Sequence, residues 1–493
     1  MVGFGIDFGT TNSVAAVFDG QKITAFVDNI KRPHPSVLWY RGSGLPTVGR
    51  EAKDKIRQFG NVPGNYFVKS IKSRIAEEIE VQIFGKSYHT WEIAGNIFRF
   101  LKDSALKQNS EYPEIKEAVI TIPLYFNGKQ RQAIRKASEY AGISVKNFIH
   151  EPFAAVIGYL FSNPRSVDDL KSLKENILVF DWGGGTLDIT LVKLDSGTIC
   201  EVCNAGQPDR SGDYFDEKLM DDVIDRFCKE NNINRDRFRF DDGIQSILSN
   251  EIELAKIKLS DKDSSSVLIP EFLSLNDQSY SLELDISRSH FESLINLDIQ
   301  DAMSLVDQVL HSSRINSSQI GQVLLIGGTS KILLLDRMMR DKFGTTKVKR
   351  ISNADTVIAE GAAIISFNNW QPYLVRPICI QLSDESHYII FDKGTILNPK
   401  VAQKEIKFFC TDNRDGEGVL IVADAYEVGR YQVKEPIIRV PISKVLRDVY
   451  QEKVMADIRV DRDIILRVSA RGSIKGEPVY AEFHDICYGL RFA

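Results

Sequence analysis

Cysteine is scarce in this chain, with six among 493 residues, and six scattered thiols in so long a sequence do not make a disulfide framework. Two of them, Cys200 and Cys203 in "TICEVCNAG", form a C-x-x-C, but no second pair supplies the remaining ligands of a structural zinc site. They also sit in a strand-like run, where positions three apart face opposite ways. None of the seven histidines has a partner at metal-ligand spacing. No apolar run approaches the roughly 18 residues of a membrane span, and no basic region precedes an apolar signal core at the N-terminus. A net charge of −5 gives no support to a nucleic-acid or anionic-membrane partner. A reduced, soluble, cytoplasmic protein is expected. Two nucleotide fingerprints are missing as well. "FGKSY" has Glu80 where a P-loop needs its first glycine, and "GGGTLD" has Asp188 where a dinucleotide loop needs its last.

What is present is ordinary globular composition, 43% apolar and 26% charged, in a length suited to about three domains of roughly 150 residues. The chain opens on "GIDFGTTNS". Asp7 closes an apolar run, Gly9 can take backbone angles that other residues avoid, and Thr10, Thr11 and Asn12 place hydroxyls, an amide and N–H groups at a turn. Such a turn suits a polyanion with a metal ion, and equally an ordinary strand–turn–strand. The pattern then returns. In "VFDWGGGTLDITLVKLDSG", Asp181 holds the place of Asp7, 174 positions later. Both copies run apolar–apolar–Asp–aromatic–Gly, then small residues and threonine, then an alternating strand and an Asp/Gly or Ser/Gly turn. Two strand–turn–strand acid loops imply a duplicated fold whose halves face one ligand. Each copy leads into strands and helices, including a helix from about Gly128 to Tyr140 with a stop at Gly142. "GQVLLIGGTSKILLLDRMMRDKF" adds a strand, a Gly327-Gly328 turn and a helix, completing an α/β pattern with a turn suited to an anion or a flat ring.

In order and at familiar spacing, "GIDFGTTNS", "AVITIPLYFNGKQRQAIRKASEYAG", "HEPFAAVIGY", "VFDWGGGTLDIT", "ELAKIKLS", "ISRSHFESL" and "IGGTSKI" resemble the seventy-kilodalton heat-shock chaperones, the DnaK family, from about Val2 to Phe367. That family lies within the wider actin and sugar-kinase superfamily. The resemblance implies an α/β duplicated actin-like ATPase domain with two lobes around a nucleotide cleft, over residues 1–368. It implies that Asp7, Glu151 and Asp181 hold Mg²⁺ and the attacking water. Thr10, Thr11 and Asn12 would take the phosphates from one side, and Gly183, Gly184, Gly185 and Thr186, with Gly212, from the other. Lys69 in "YFVKSIKSR" would reach the γ-phosphate, the alternative being an exposed lysine in a basic run. Glu253, Lys256 and Ser260, on one helix face at i, i+3, i+7, would meet the adenosine with Gly327, Gly328, Lys331 and Asp355; without the flanking motifs they read as a solvated stripe. K⁺ is a further cation the family admits. Pro123 and Arg131 would relay nucleotide state to the surface, although a proline also simply ends a strand. His150 reads as a helix-entry residue.

After Phe367, short strands with polar or glycine turns, such as "PICIQL", "HYIIFDKG", "EIKFFCTD" and "IILRVSARG", are spaced like an all-β sandwich. This part resembles the family's peptide-holding β-domain, over 377–493, joined by a linker at 369–376. Phe408, Val419 and Ile421 are candidates for the apolar cleft, burial in the sandwich core being the alternative for each. Three departures matter. The sequence ends just after the last strand, so no helical lid is expected, which implies fast peptide exchange. "FNNWQPYLVRPICIQL" lacks the family's leucine-rich linker. Asn147 stands where the family carries an arginine that helps dock a J-domain partner.

The main reading is therefore an ATP-hydrolysing chaperone that binds an extended apolar peptide or client protein, with a J-domain co-chaperone and an exchange factor as further partners. A nucleotide-gated adaptor with little hydrolysis is the first alternative. A small-molecule kinase is the second, with no evident use for a β-sandwich.

Overall fold

The computed structural model describes residues 2–492 except 43, 60–63, 110, 163–170, 209, 236–241, 276–277, 399, 410–416, 425–436, 442–452, 475 and 485. In the first lobe, β1 (Gly3–Phe8), β2 (Asn12–Phe18), β3 (Ile23–Phe26), β4 (Glu117–Ile122) and β5 (Ser144–His150) form a sheet ordered β5-β4-β1-β2-β3, with His34–Pro35 added beside β2. Helix α1 (Gly128–Tyr140) lies between β4 and β5, and α2 (Glu151–Ser162) follows β5 directly. Alternation buries Val14, Ala16 and Phe18 on one face of β2 and Ala15 and Val17 on the other, so this sheet is covered on both sides. The Asp19-Gly20 turn after β2 forms as its sequence asks: Asp19 Oδ1 accepts from the Gln21 and Lys22 amides at 2.8 and 2.7 Å, and Gly20 takes φ +100°.

The second lobe repeats this arrangement. β6 (Lys174–Trp182), β7 (Thr186–Asp195), β8 (Thr198–Pro208), β9 (Ile320–Ile326) and β10 (Val348–Arg350) are ordered β10-β9-β6-β7-β8. In each lobe the acid-bearing strand runs parallel to one neighbour and antiparallel to the other, β1 beside β4 and β2, β6 beside β9 and β7. The duplication legible in the two acid motifs is thus a duplication of topology. Helices α3 (Gly212–Glu230) and α4 (Asp242–Leu259) wall the cleft from this side, and α5 (Val357–Asn368) returns across β1 to cross α2. That crossing is backbone on backbone: a Cβ on Gly361 would fall 1.8 Å from the Ala154 carbonyl oxygen, and one on Gly158 2.3 Å from that of Val357.

Beyond α5 come β11 (Gln371–Leu374) and the strands of the β-domain: β12 (Ile378–Gln381), β13 (His387–Phe391), β14 (Gln403–Phe409), β15 (Glu417–Asp424), β16 (Ile437–Pro441), β17 (Lys453–Val460), β18 (Leu466–Gly472) and β19 (Val479–Phe483). They make two four-stranded sheets, β13-β12-β15-β16 and β14-β17-β18-β19. Inward-facing Ile380, Leu420, Val422 and Val440 meet Ala456, Ile458, Val468 and Ala470 in a core continuous with that of the first lobe. The last strand, β20 (Tyr488–Arg491), departs from the expected boundary. It leaves the sandwich and joins the sheet of the second lobe, between β8 and β11, giving β10-β9-β6-β7-β8-β20-β11. The stretch read as linker likewise contains a ladder strand. Alternation in "ICYGLRF" announces a strand but says nothing of which sheet receives it.

Candidate functional site

The two acid loops meet. A Cβ on Gly184 would fall 2.2 Å from Thr11 Oγ1, and one on Gly185 3.1 Å from Thr10 Cγ2, so only glycines let the turns close this far. Each turn is pinned from behind. Ser36 donates its hydroxyl to the Gly9 carbonyl at 2.8 Å, and its amide to that of Thr11 at 2.8 Å. On the other side the Thr329 hydroxyl donates to the Gly183 carbonyl at 2.7 Å, and the Asp213 amide to that of Gly184 at 2.9 Å. Between them the Thr11 hydroxyl oxygen is buried and meets no hydrogen-bond partner among the described residues, which leaves an acceptor and donor free for a ligand.

Behind the turns stands a cluster of carboxylates. Asp7, one residue from the end of β1, accepts from the Thr121 hydroxyl at 3.1 Å. Glu151, the first residue of α2, accepts from Lys72 Nζ at 2.6 Å. Asp188 accepts from the Thr186 hydroxyl at 3.0 Å. Burial, and then the Glu151 charge, push Asp7 from the ordinary 3.8 up to about 6. The same two causes hold Asp188 at about 6 and raise Asp181 well above its ordinary value. Lys72 is only 5% exposed. Burial disfavours its charge, but Glu151 and then Asp7 more than offset this and its pKa is raised. One lysine among four acids leaves the cluster short of positive charge. No three acidic, histidine or cysteine side chains among the described residues converge closely enough to chelate a metal directly. The donor set therefore suits a hard cation that keeps its water shell and bridges to phosphate, as Mg²⁺ does.

Around this cluster the expected residues line one cavity of about 310 Å³: Thr10, Thr11 and Asn12; Gly183, Gly184, Gly185 and Thr186; Gly212, Glu253, Lys256 and Ser260; and Gly327, Gly328, Lys331 and Asp355, together with Asp7, Glu151, Asp181 and Pro123. Its outer wall is fixed by ion pairs. Lys331 holds Asp355 at 2.5 Å, Lys53 holds Glu253 at 2.5 Å, and Lys256 holds Asp216 at 2.7 Å while donating to the Gly212 carbonyl at 2.6 Å. Gly327 takes φ +79° where the chain turns off β9, and space beside Gly328 is open.

Lys69 is placed elsewhere. It lines an adjoining cavity of about 230 Å³ with Ser36, Lys53, Asp213 and Glu253, and burial lowers its pKa. Lys72, three residues on, is the lysine that stands among the carboxylates. The 3-10 turn Ile71–Arg74, entered through Ser70 at φ +53°, rotates the second lysine inward. "YFVKSIKSR" offers both lysines, and nothing in its pattern ranks them. Asp188 was likewise missed as a cleft acid; its paired register with Asp181 on β6 and β7 was the available signal.

Arg131 reaches the β-domain, whereas Pro123 lines the cleft cavity. Arg131, 2% exposed, donates to the Asp463, Ile464 and His484 carbonyls at 2.6, 3.2 and 2.7 Å. Arg135 adds an ion pair to Asp463 at 2.6 Å. In the β-domain, Phe408 is half-buried with its ring edge-on to Tyr388 at 5.6 Å. Val419, 49% exposed, and half-buried Ile421 alternate with buried Leu420 and Val422, so both face outward from β15 rather than into the core.

A family model described as "Hsp70 protein" matches residues 3–367. The chain is 32% identical to the Chaperone protein DnaK of Thermotoga petrophila over 488 residues, covering 95% of this chain and 78% of that one. The match to the Chaperone protein DnaK of Thermotoga maritima has the same figures. With that of Thermosipho africanus identity is 30% over 489 residues, covering 95% of this chain and 77% of the relative.

Proposed function

The chain belongs to the Hsp70 family, and from that premise we propose that the cleft between its lobes is where ATP is bound and hydrolysed, by the residues named above. The protein is an ATP-dependent molecular chaperone, an ATPase whose partners are client polypeptides. The single observation that carries the site assignment is the contact of the two duplicated loops, Thr10–Thr11 against Gly184–Gly185, beside a half-buried carboxylate cluster.

In this reading the N–H and hydroxyl groups of Thr10, Thr11 and Asn12 and the Gly183–Thr186 backbone hold the β- and γ-phosphates in line with a water. Glu151 and Asp181 orient that water, and Lys72, fixed by Glu151, offsets charge on the γ-phosphate. Water adds to phosphorus as the bond to the ADP oxygen breaks, and the leaving charge is met by fixed groups; positioning and charge neutralisation supply most of such catalysis. Asp7 and Asp181 with Glu151 would hold Mg²⁺ through its water shell, and the ion supplies charge neutralisation between the phosphates; K⁺ is a further candidate. Glu253, Lys256 and Ser260 on α4, with Gly327, Gly328, Lys331 and Asp355, would enclose the nucleoside.

Phe408, Val419 and Ile421, with Tyr388, are the proposed contact for an extended apolar peptide, supported by the outward placement of Val419 and Ile421, with Phe408 packed half-buried against the sandwich core. Pro123 and Arg131 are the proposed relay. A J-domain co-chaperone, an exchange factor and a cytoplasmic location complete the proposal, and family membership supports all three. Among the described residues no helix is long and apolar enough to cross a membrane. The test is single-turnover hydrolysis alongside ATP affinity. Lys72→Ala is expected to slow hydrolysis at least 100-fold while changing affinity by a few-fold, as loss of a charge-stabilising group does. Equal hydrolysis by wild type and variant would overturn the assignment.

A further inference from the structure

We propose that β20 is a standing clasp, which keeps the β-domain docked on the ATPase domain in every nucleotide state. The strand pairs on both sides. Toward β8 the partners are Thr198 with Arg491 and Ile199 with Leu490. Toward β11 they run from Gln371 with Arg491 to Leu374 with Tyr488. Beyond the strand, the Phe492 amide donates to the Gly197 carbonyl at 2.9 Å. Among the described residues the linker strand β11 joins the ladder of this ATPase sheet through β20.

The side chains of this segment belong to the ATPase domain. Leu490 is fully buried and Phe492 is 2% exposed, both in the core between the two lobes. The Phe492 ring lies 5.4 Å from that of Trp370. Tyr488, 3% exposed, stacks on His150 at 4.3 Å and 25°, beside Glu151 at the cleft. Gly489 is where the seat is tightest. A Cβ there would fall 2.5 Å from the Ile199 carbonyl oxygen and 2.7 Å from the Tyr373 ring. Tyr373 crosses over it.

The far side of β11 is engaged too. The Leu374 amide donates to the Thr395 carbonyl at 2.9 Å, and the Leu397 amide to that of Pro372 at 2.9 Å. The β-domain thus leaves β11 and returns through β20, with both of its ends held on adjacent strands of one sheet. A body tethered at both ends stays at high effective concentration against its docking surface, here Arg131 and Arg135 with Asp463. Undocking the returning end of the β-domain requires stripping β20 from β8 and exposing Leu490 and Phe492. Nucleotide then acts on the β-domain through a standing interface.

The proposal rests on the nucleotide reading only for the states compared. Amide exchange over 371–374 and 488–491 is measured in wild type without nucleotide, with ADP and with ATP. Protected rates equal within about twofold are expected; a tenfold or greater acceleration in any state overturns the clasp. Gly489→Val is expected to speed exchange over 371–374 at least tenfold, while ATP still raises the melting temperature of the ATPase domain; unchanged exchange overturns it. Should that variant not fold, Thr198→Cys with Arg491→Cys, oxidised across the register pair, serves instead. ATP-dependent peptide release within about twofold of the reduced protein supports a clasp that never opens, and its loss on oxidation overturns one. Absence of any ATP-dependent thermal shift in wild type sinks the nucleotide reading, and equal protection of both segments in the nucleotide-free protein still decides the clasp.

Discussion

Asp7, Asp181 and Asp188 are half-buried near Glu151, with Lys72 as the cation among them. With Asp7 at about 6 in the fold against an ordinary 3.8, folding takes up a proton between those values. The stability from that proton is fully present below 3.8 and is lost as pH rises through 6. Nucleotide-free protein should therefore melt higher at pH 5 than at pH 7.5 as far as this group decides. Asp7→Asn, which mimics the protonated acid, should raise the pH 7.5 melting temperature by a few degrees and change little at pH 5; a pH-independent difference would contradict this. His150 runs the other way. Burial, then the Arg131 charge, lower it to about 3, so its contribution is present above its ordinary 6.5 and is lost as pH falls toward 3. Lys69→Ala makes the matched control for Lys72→Ala, expected to hydrolyse ATP within a few-fold of wild type. Asp7 and Asp181 were legible because the repeat displays them at matching positions; Asp188 was not. The inward turn of Lys72 was not legible, because one left-handed serine decides which of two neighbouring lysines faces the acids.

Local signals identified the elements well. Asn127 caps α1 by accepting the Gln130 amide at 3.2 Å, Gly142 ends the segment at φ +71°, and the helix runs Gly128–Tyr140 as its pattern indicated. The Ser196-Gly197 turn takes positive φ at both residues, 49° and 82°, the twist-matched geometry of a tight hairpin. The α2–α5 crossing, by contrast, was invisible: Gly158 and Gly361 sit in separate helices and only packing shows them to be one device. Because a Cβ on Gly361 has nowhere to go, Gly361→Ala should cost about 3 kcal/mol in chemical denaturation. Gly328→Ala, beside open space, is the comparison and should change stability by less than about 0.5 kcal/mol.

Over the whole molecule, sequence pattern separated an α/β duplication from a β-domain but not how the two are joined. Strand alternation is a property of a segment, whereas the choice of partner sheet depends on contacts such as Tyr488 with His150, more than 300 positions apart. The proposed relay leads from Pro123 at the cleft to Arg131, whose guanidinium meets three β-domain carbonyls. Arg131→Ala should leave ATP affinity within a few-fold and reduce the effect of ATP on bound peptide at least fivefold, as removal of a buried hydrogen-bonded charge would. The dissociation rate of a labelled extended apolar peptide, measured in ADP and then after adding ATP, tests the central claim most directly. At least tenfold faster release on ATP, a coupling of about 1.4 kcal/mol, is the result predicted for an ATP-dependent chaperone. Release at the same rate in both nucleotides, with peptide clearly bound, would contradict it.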